Sequence, residues 1–263
     1  MKIKKINESI QIFSKFKKII QILLLILILL FLNIGYKYPL NSEAKTNNNS
    51  EYQIEILNLK TQLNSLEDNY NKYVKMYENL YKLSFKQQIE FESEIIIPKD
   101  FEFKYIEFIY NVANEFNIPS RIAFRLIYKE SIFNHNAKSF AGAKGIMQLM
   151  PNTKNFYYKK YYNDIINISD SVMVDIYIGL KYLKDNYEFW RSRGNSENFS
   201  WKLALATYNA GIKPVIKYKN IPPYKETEEF VKFITKPHSN PSLYTIMIKE
   251  NKLKELKELK EIS

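Results

Sequence analysis

From Ile19 to Ile34 every position except Gln21 and Asn33 is apolar, so a helix formed there is apolar on all its faces. Such a helix does not suit the surface of a soluble domain, where one stripe is buried and the rest is wet. Its 16 residues stand at the short limit for crossing a bilayer. Within residues 1–18, six lysines face a single acid, Glu8, while Tyr36, Lys37 and Tyr38 follow the run. Positive charge is retained in the cytoplasm and tyrosine favours the membrane interface. The pattern predicts a basic cytoplasmic leader (1–18), a transmembrane anchor (19–35) and the bulk of the chain outside. That makes it a single-pass protein of the inner (cytoplasmic) membrane, facing the periplasmic side. The competing reading is a cleaved signal peptide, for which Ser42-Glu43-Ala44 is a weak site about ten residues past the apolar core. Either reading exports the rest of the chain.

The exported part is long enough for one sizeable core. The chain of 263 residues has no cysteine, which excludes disulfides, thiolate metal sites and a cysteine nucleophile. Its net charge of +11 suits nucleic acid, anionic lipid or an acidic polymer alike. Much of the excess reflects lysine being abundant throughout, and no nucleic-acid partner is expected.

Residues 36–50 are polar and without pattern, as in a linker. Then Ile56, Leu59, Leu63, Leu66, Tyr70, Tyr73, Tyr77 and Leu80 alternate three and four apart. This is close to the seam of a coiled coil over residues 51–95. Two readings fit: an amphipathic helix folded back on the domain that follows, or a parallel homodimeric stalk. Pro98 ends the pattern. Beyond it, residues 96–247 read as short helices over 103–116, 120–133, 170–190, 200–210 and 226–235, with no sustained period-two alternation. The fold class is therefore mainly α. Residues 248–263 alternate Lys and Glu around Leu253, Leu256 and Leu259, as in a solvated terminal helix.

In the helix after Ile118-Pro119, Ser120 is placed to be the N-cap. Ile122, Ala123, Leu126 and Ile127 mark the apolar face, and Glu130 falls on it. Burial raises a carboxyl pKa, as a general acid working near neutrality requires. A lone glutamate there also fits a salt-bridged residue at a helix end. His135 and His238 lack ligand spacing, and no cluster suggests a metal or other cofactor.

The segment after Glu130 narrows the choice. It runs Glu130-Ser131, then Ser139, Ala141-Gly142-Ala143-Lys144-Gly145-Ile146-Met147-Gln148, then Met150-Pro151. Further along come Asp175 with Gly179, Tyr182 and Leu183, then Thr207-Tyr208-Asn209-Ala210-Gly211, then Glu226-Thr227 with Phe230-Val231. In this order the blocks resemble those of the Slt-type lytic transglycosylase domain, which is similar in fold to goose-type lysozyme. Ile146 stands for the usual leucine, Thr207 for alanine and Asp175 for asparagine. The resemblance covers about residues 105–235. It implies a lysozyme-like catalytic domain that cuts peptidoglycan between N-acetylmuramic acid and N-acetylglucosamine, leaving 1,6-anhydromuramyl ends without a cofactor. It also implies that Glu130 is acid and then base, that Met150 lines the sugar cleft, and that Ser139, Gln148, Tyr208, Asn209 and Glu226 orient the glycan or support Glu130. A hydrolytic muramidase would need the same glutamate, and a non-catalytic wall-binding or assembly protein could keep the cleft.

Overall fold

A computed structural model describes residues 45–237. The expected leader (1–18), anchor (19–35) and terminal helix (248–263) lie outside them, as does His238. Among the described residues no helix is long and apolar enough to cross a membrane. These residues form helices joined by short loops, and their only β pairing is two isolated bridges, Lys138 with Lys144 and Lys144 with Leu149.

The chain divides into two compact units between Phe85 and Lys86. Helix α1 (Lys45–Ser93) contributes to both. In the first unit, Leu59, Leu66, Tyr73 and Tyr77 of the heptad seam are exposed, and Leu63, Tyr70 and Leu80 are partly buried. The exposed Leu59, Leu66 and Tyr73 are surface that a second copy of the helix would cover in the dimeric reading. A peptide spanning residues 45–85 is expected to sediment as a helical dimer in analytical ultracentrifugation. A monomer at high concentration would remove the basis for a dimeric stalk.

The second unit is the helical domain. Its helices are α2 (Phe103–Glu115), α3 (Ser120–Ser131), α4 (Pro151–Lys160), α5 (Tyr162–Ile165), α6 (Ser171–Arg191), α7 (Glu197–Ala210), α8 (Ile212–Tyr218) and α9 (Lys225–Thr235). Five match segments expected from periodicity. The others, α4, α5 and α8, are too short or too polar for periodicity to reveal. The core lies where α3 and α7 bury nearly whole turns. Ile122 through Ile127 are all buried in α3, and Leu203 through Tyr208 in α7. Amphipathic α2 covers α3 and α6 with Tyr105, Ile106, Ile109, Val112 and Ala113.

Two helix starts carry side-chain caps. The Asp170 carboxylate accepts from the Val172 and Met173 amides at the head of α6, and Ser196 accepts from Phe199 at the head of α7. Ser120 corrects the sequence reading, because Pro119 occupies the cap position of α3. The Ser120 hydroxyl instead donates to Glu92 near the end of α1 (3.1 Å). Further bonds join the last turns of α1 to this unit: Lys86 donates to the Pro98 carbonyl and the Ile97 amide to Glu90.

Candidate active site

Glu130 sits in the last turn of α3, half-buried. Its carboxyl is pushed up to about 8, chiefly by burial and next by the negative charge of Glu226, with Lys129 opposing. Directly after the helix the backbone turns sharply. Ile132 and Phe133 both adopt left-handed φ, at 52° and 63°. A β-branched isoleucine in that region is costly. The turn holds because Phe133 is buried against Phe101, Phe124 and Tyr128.

The next loop is tied to α3 by Ser131, whose hydroxyl donates to the Ile146 carbonyl (2.8 Å). Gln148, itself at φ 46°, donates its side-chain amide to the carbonyls of Ala137 (3.0 Å) and Gly145 (2.8 Å). The amide expected to meet sugar is thus engaged in shaping the loop. The Ser139 hydroxyl likewise accepts from the Ala143 amide, and its residue is exposed. Met150 caps α4 with its side chain nearly half exposed.

Two glycines let the loop approach α6. At Gly145, φ is 83°, and a Cβ would lie 2.6 Å from Asp175 Oδ2. At Gly179, a Cβ would lie 2.8 Å from the Cβ of buried Met147. Asp175 forms an ion pair with Lys154 of α4, which gives the aspartate at this position a partner of its own.

From α7, Tyr208 reaches under the loop. Its hydroxyl donates to the Met147 carbonyl (2.8 Å), and its buried ring packs on Tyr182, centroids 5.1 Å apart. Burial, and next the charge of Glu130, hold that hydroxyl well above the usual tyrosine range. It therefore stays a proton donor to the loop. Thr207 accepts a hydrogen bond from the Trp190 indole (2.8 Å) in the core. Asn209 joins α7 to the head of α9: its oxygen accepts from Thr227 (2.7 Å) and its amide donates to Glu226 (3.5 Å). Glu226 is exposed.

Of the residues singled out in the sequence, Glu130, Tyr208, Asn209 and Glu226 are joined by hydrogen bonds or electrostatics. Gln148 and Ser139 build the loop tethered to α3, and Met150 leads out of it. Sequence reasoning missed Arg125, buried in α3. Its place was legible only as a charge among the apolar residues Ile122 to Ile127. Among the described residues no group of acids and histidines could hold a metal ion.

A half-buried carboxyl with its pKa near neutrality, a fixed loop beside it and a second carboxylate acting on it can exchange protons with a bound molecule. Part of this chain is similar to known proteins. The family model described as the transglycosylase SLT domain matches residues 107–231. Similar solved structures include an inactive mutant of the lytic transglycosylase Slt from Pseudomonas aeruginosa, 25% identical over 51% of this chain, with a TM-score of 0.42. Another is the 70 kDa soluble lytic transglycosylase from Escherichia coli, 28% identical over 51% of this chain, with a TM-score of 0.41. The matched part spans 23% of the length of each of those chains. Residues 107–231 of this chain thus carry a transglycosylase SLT domain.

Proposed function

We propose that this protein is a membrane-tethered peptidoglycan lytic transglycosylase with a lysozyme-like catalytic unit, in which Glu130 is acid and then base. The observation that carries the reading is the raised Glu130 carboxyl, held beside the loop within the matched domain. Protonated at neutral pH, Glu130 gives its proton to the oxygen joining N-acetylmuramic acid to N-acetylglucosamine. The glycosidic bond breaks with its electron pair going to that oxygen, and positive charge grows at the muramyl anomeric carbon. The substrate's acetamido carbonyl eases that charge. Glu130, now ionised, takes the proton of the muramyl C6 hydroxyl, whose oxygen closes on the anomeric carbon. The nucleophile belongs to the substrate, so its effective concentration is high and no water is consumed. Burial, and next the charge of Glu226, keeps the acid protonated, while Tyr208, Gln148, Ser139 and Asn209 fix the loop and α9 around the glycan, with Met150 along its path. The tether rests on the lysines and the apolar run of residues 1–35.

Mass spectrometry of muropeptides released from purified sacculi tests the reading. Ends lighter by one water than hydrolytic products are expected. Reducing muramic ends would make the protein a muramidase instead, and no release would make it a wall-binding protein.

Activity should fall as pH rises through about 8, because the acid must be protonated. In Glu226→Gln the repulsion is gone, so the alkaline limb of the rate profile should move to lower pH. An unmoved limb would show that Glu226 does not act on Glu130.

A further inference from the structure

Arg125 is 2% exposed, in the middle of α3, and all three of its nitrogens are engaged. Nε donates to the Ser93 carbonyl at the last residue of α1 (2.5 Å). Nη1 donates to the carbonyls of Ile234 (3.3 Å) and Lys236 (2.6 Å), with Phe233 at 3.4 Å, where α9 ends. Nη2 pairs with Glu94 (3.1 Å). The last carbonyls of a helix lack partners within it and carry its negative dipole end. One guanidinium therefore caps two helix C-termini, a task suited to a planar fork of five donors.

The consequence reaches the carboxylates, since α3 ends near Glu130 and α9 begins near Glu226. The head of α9 is held by Asn209 of α7 through Thr227 and its tail by Arg125 of α3. We propose that Arg125 is a positioning residue for the acid–base centre: by clamping α9 and the end of α1 to α3, it keeps Glu226 at a fixed distance from Glu130. This rests on the reading of Glu130 as the acid. It also extends the working domain upstream of the family match, to the last turns of α1, because Ser93 and Glu94 are half of the clamp.

Arg125→Lys keeps the charge but replaces the fork with a single point donor. With the tail bonds gone, the polar anchoring of α9 falls to the Asn209 bonds at its head, so Glu226 is held less firmly beside Glu130 and the acid loses its proton at lower pH. The groups acting on Glu130 are Glu226 and Lys129, with the Tyr208 hydroxyl beside it; those acting on Arg125 are Glu94 and Arg121. Rate–pH profiles would be taken on the full-length protein for Arg125→Lys, Glu226→Gln and the double variant. A limb displaced by one pH unit is a roughly tenfold loss of rate on the alkaline side. The expected result is a downward displacement in Arg125→Lys with KM little changed, and no further displacement when it is added to Glu226→Gln.

A core variant such as Ile176→Val, buried in α6, should lower the melting temperature without moving the limb. An unmoved limb in Arg125→Lys, or full additivity in the double variant, would overturn the proposal. If Arg125→Lys does not fold, Glu94→Gln takes its place under the same criteria. Glu130→Gln, run alongside, separates the two claims: if it stays active, the reading of the acid fails, whatever the limb does.

Discussion

Glu130→Gln is expected to fold and to release no anhydromuropeptides. General acid–base groups contribute about 10²–10⁴-fold. In the proposed mechanism one residue performs both proton transfers, so the loss should reach the upper end. The amide keeps the shape of the side chain and cannot give up a proton at any accessible pH. The same substitution should raise thermal stability at alkaline pH. The folded-state pKa of Glu130 lies above its unfolded value, so its proton stabilises the fold fully below about 4.5, and that contribution is lost as pH rises through about 8. Glutamine has no charge to desolvate. The melting temperature of the variant relative to the parent should therefore climb between those limits and level off above them. A variant that keeps more than about a tenth of parental turnover would contradict the assignment. One that is no more stable than the parent at alkaline pH would contradict the burial of the charge.

Gly179→Ala should damage both the fold and the loop through a single added methyl. The added carbon would lie 2.5, 2.7 and 2.8 Å from Cε, Cγ and Cβ of Met147. The outer two atoms belong to a flexible side chain, but Cβ is fixed by the backbone. Relief therefore requires the loop to move, and that loop is bonded to Tyr208 at Met147 and to Ser131 at Ile146. Overpacking of this kind costs about 1–3 kcal/mol. The effect on rate should exceed what the stability loss implies, because a displacement of about 1 Å near reacting groups can cost about 10²-fold. Adding Met147→Ala removes the two outer clashes and should restore part of the stability. Melting curves and turnover on sacculi would be measured for both variants. Parental turnover in Gly179→Ala would mean that the loop position does not govern catalysis.

The sequence read alone supplied the elements with a strong period and the residues with a fixed order. Helices α2, α3, α6, α7 and α9 were legible because each buries one stripe or nearly all of its faces, which periodicity and apolar runs report directly. Glu130 was legible as a carboxylate on the apolar stripe of α3, and its neighbours as blocks in family order. Short α4, α5 and α8 were not, since a few polar turns carry no period.

What the tertiary structure decided was the partner of each polar atom. Gln148 and Ser139 read as orienting the glycan or supporting Glu130, and their bonds in the fold shape the loop, because a chain turning through left-handed φ leaves carbonyls and amides that nearby side chains must satisfy. Thr207 gained an indole partner and Asp175 a lysine, contacts made across helices far apart in sequence. Arg125 was missed in the sequence, and only the meeting of two helix ends over α3 made it a buried clamp. Periodicity records which way a side chain faces. Which donor meets which acceptor depends on how the helices pack, and that is set by the whole core at once.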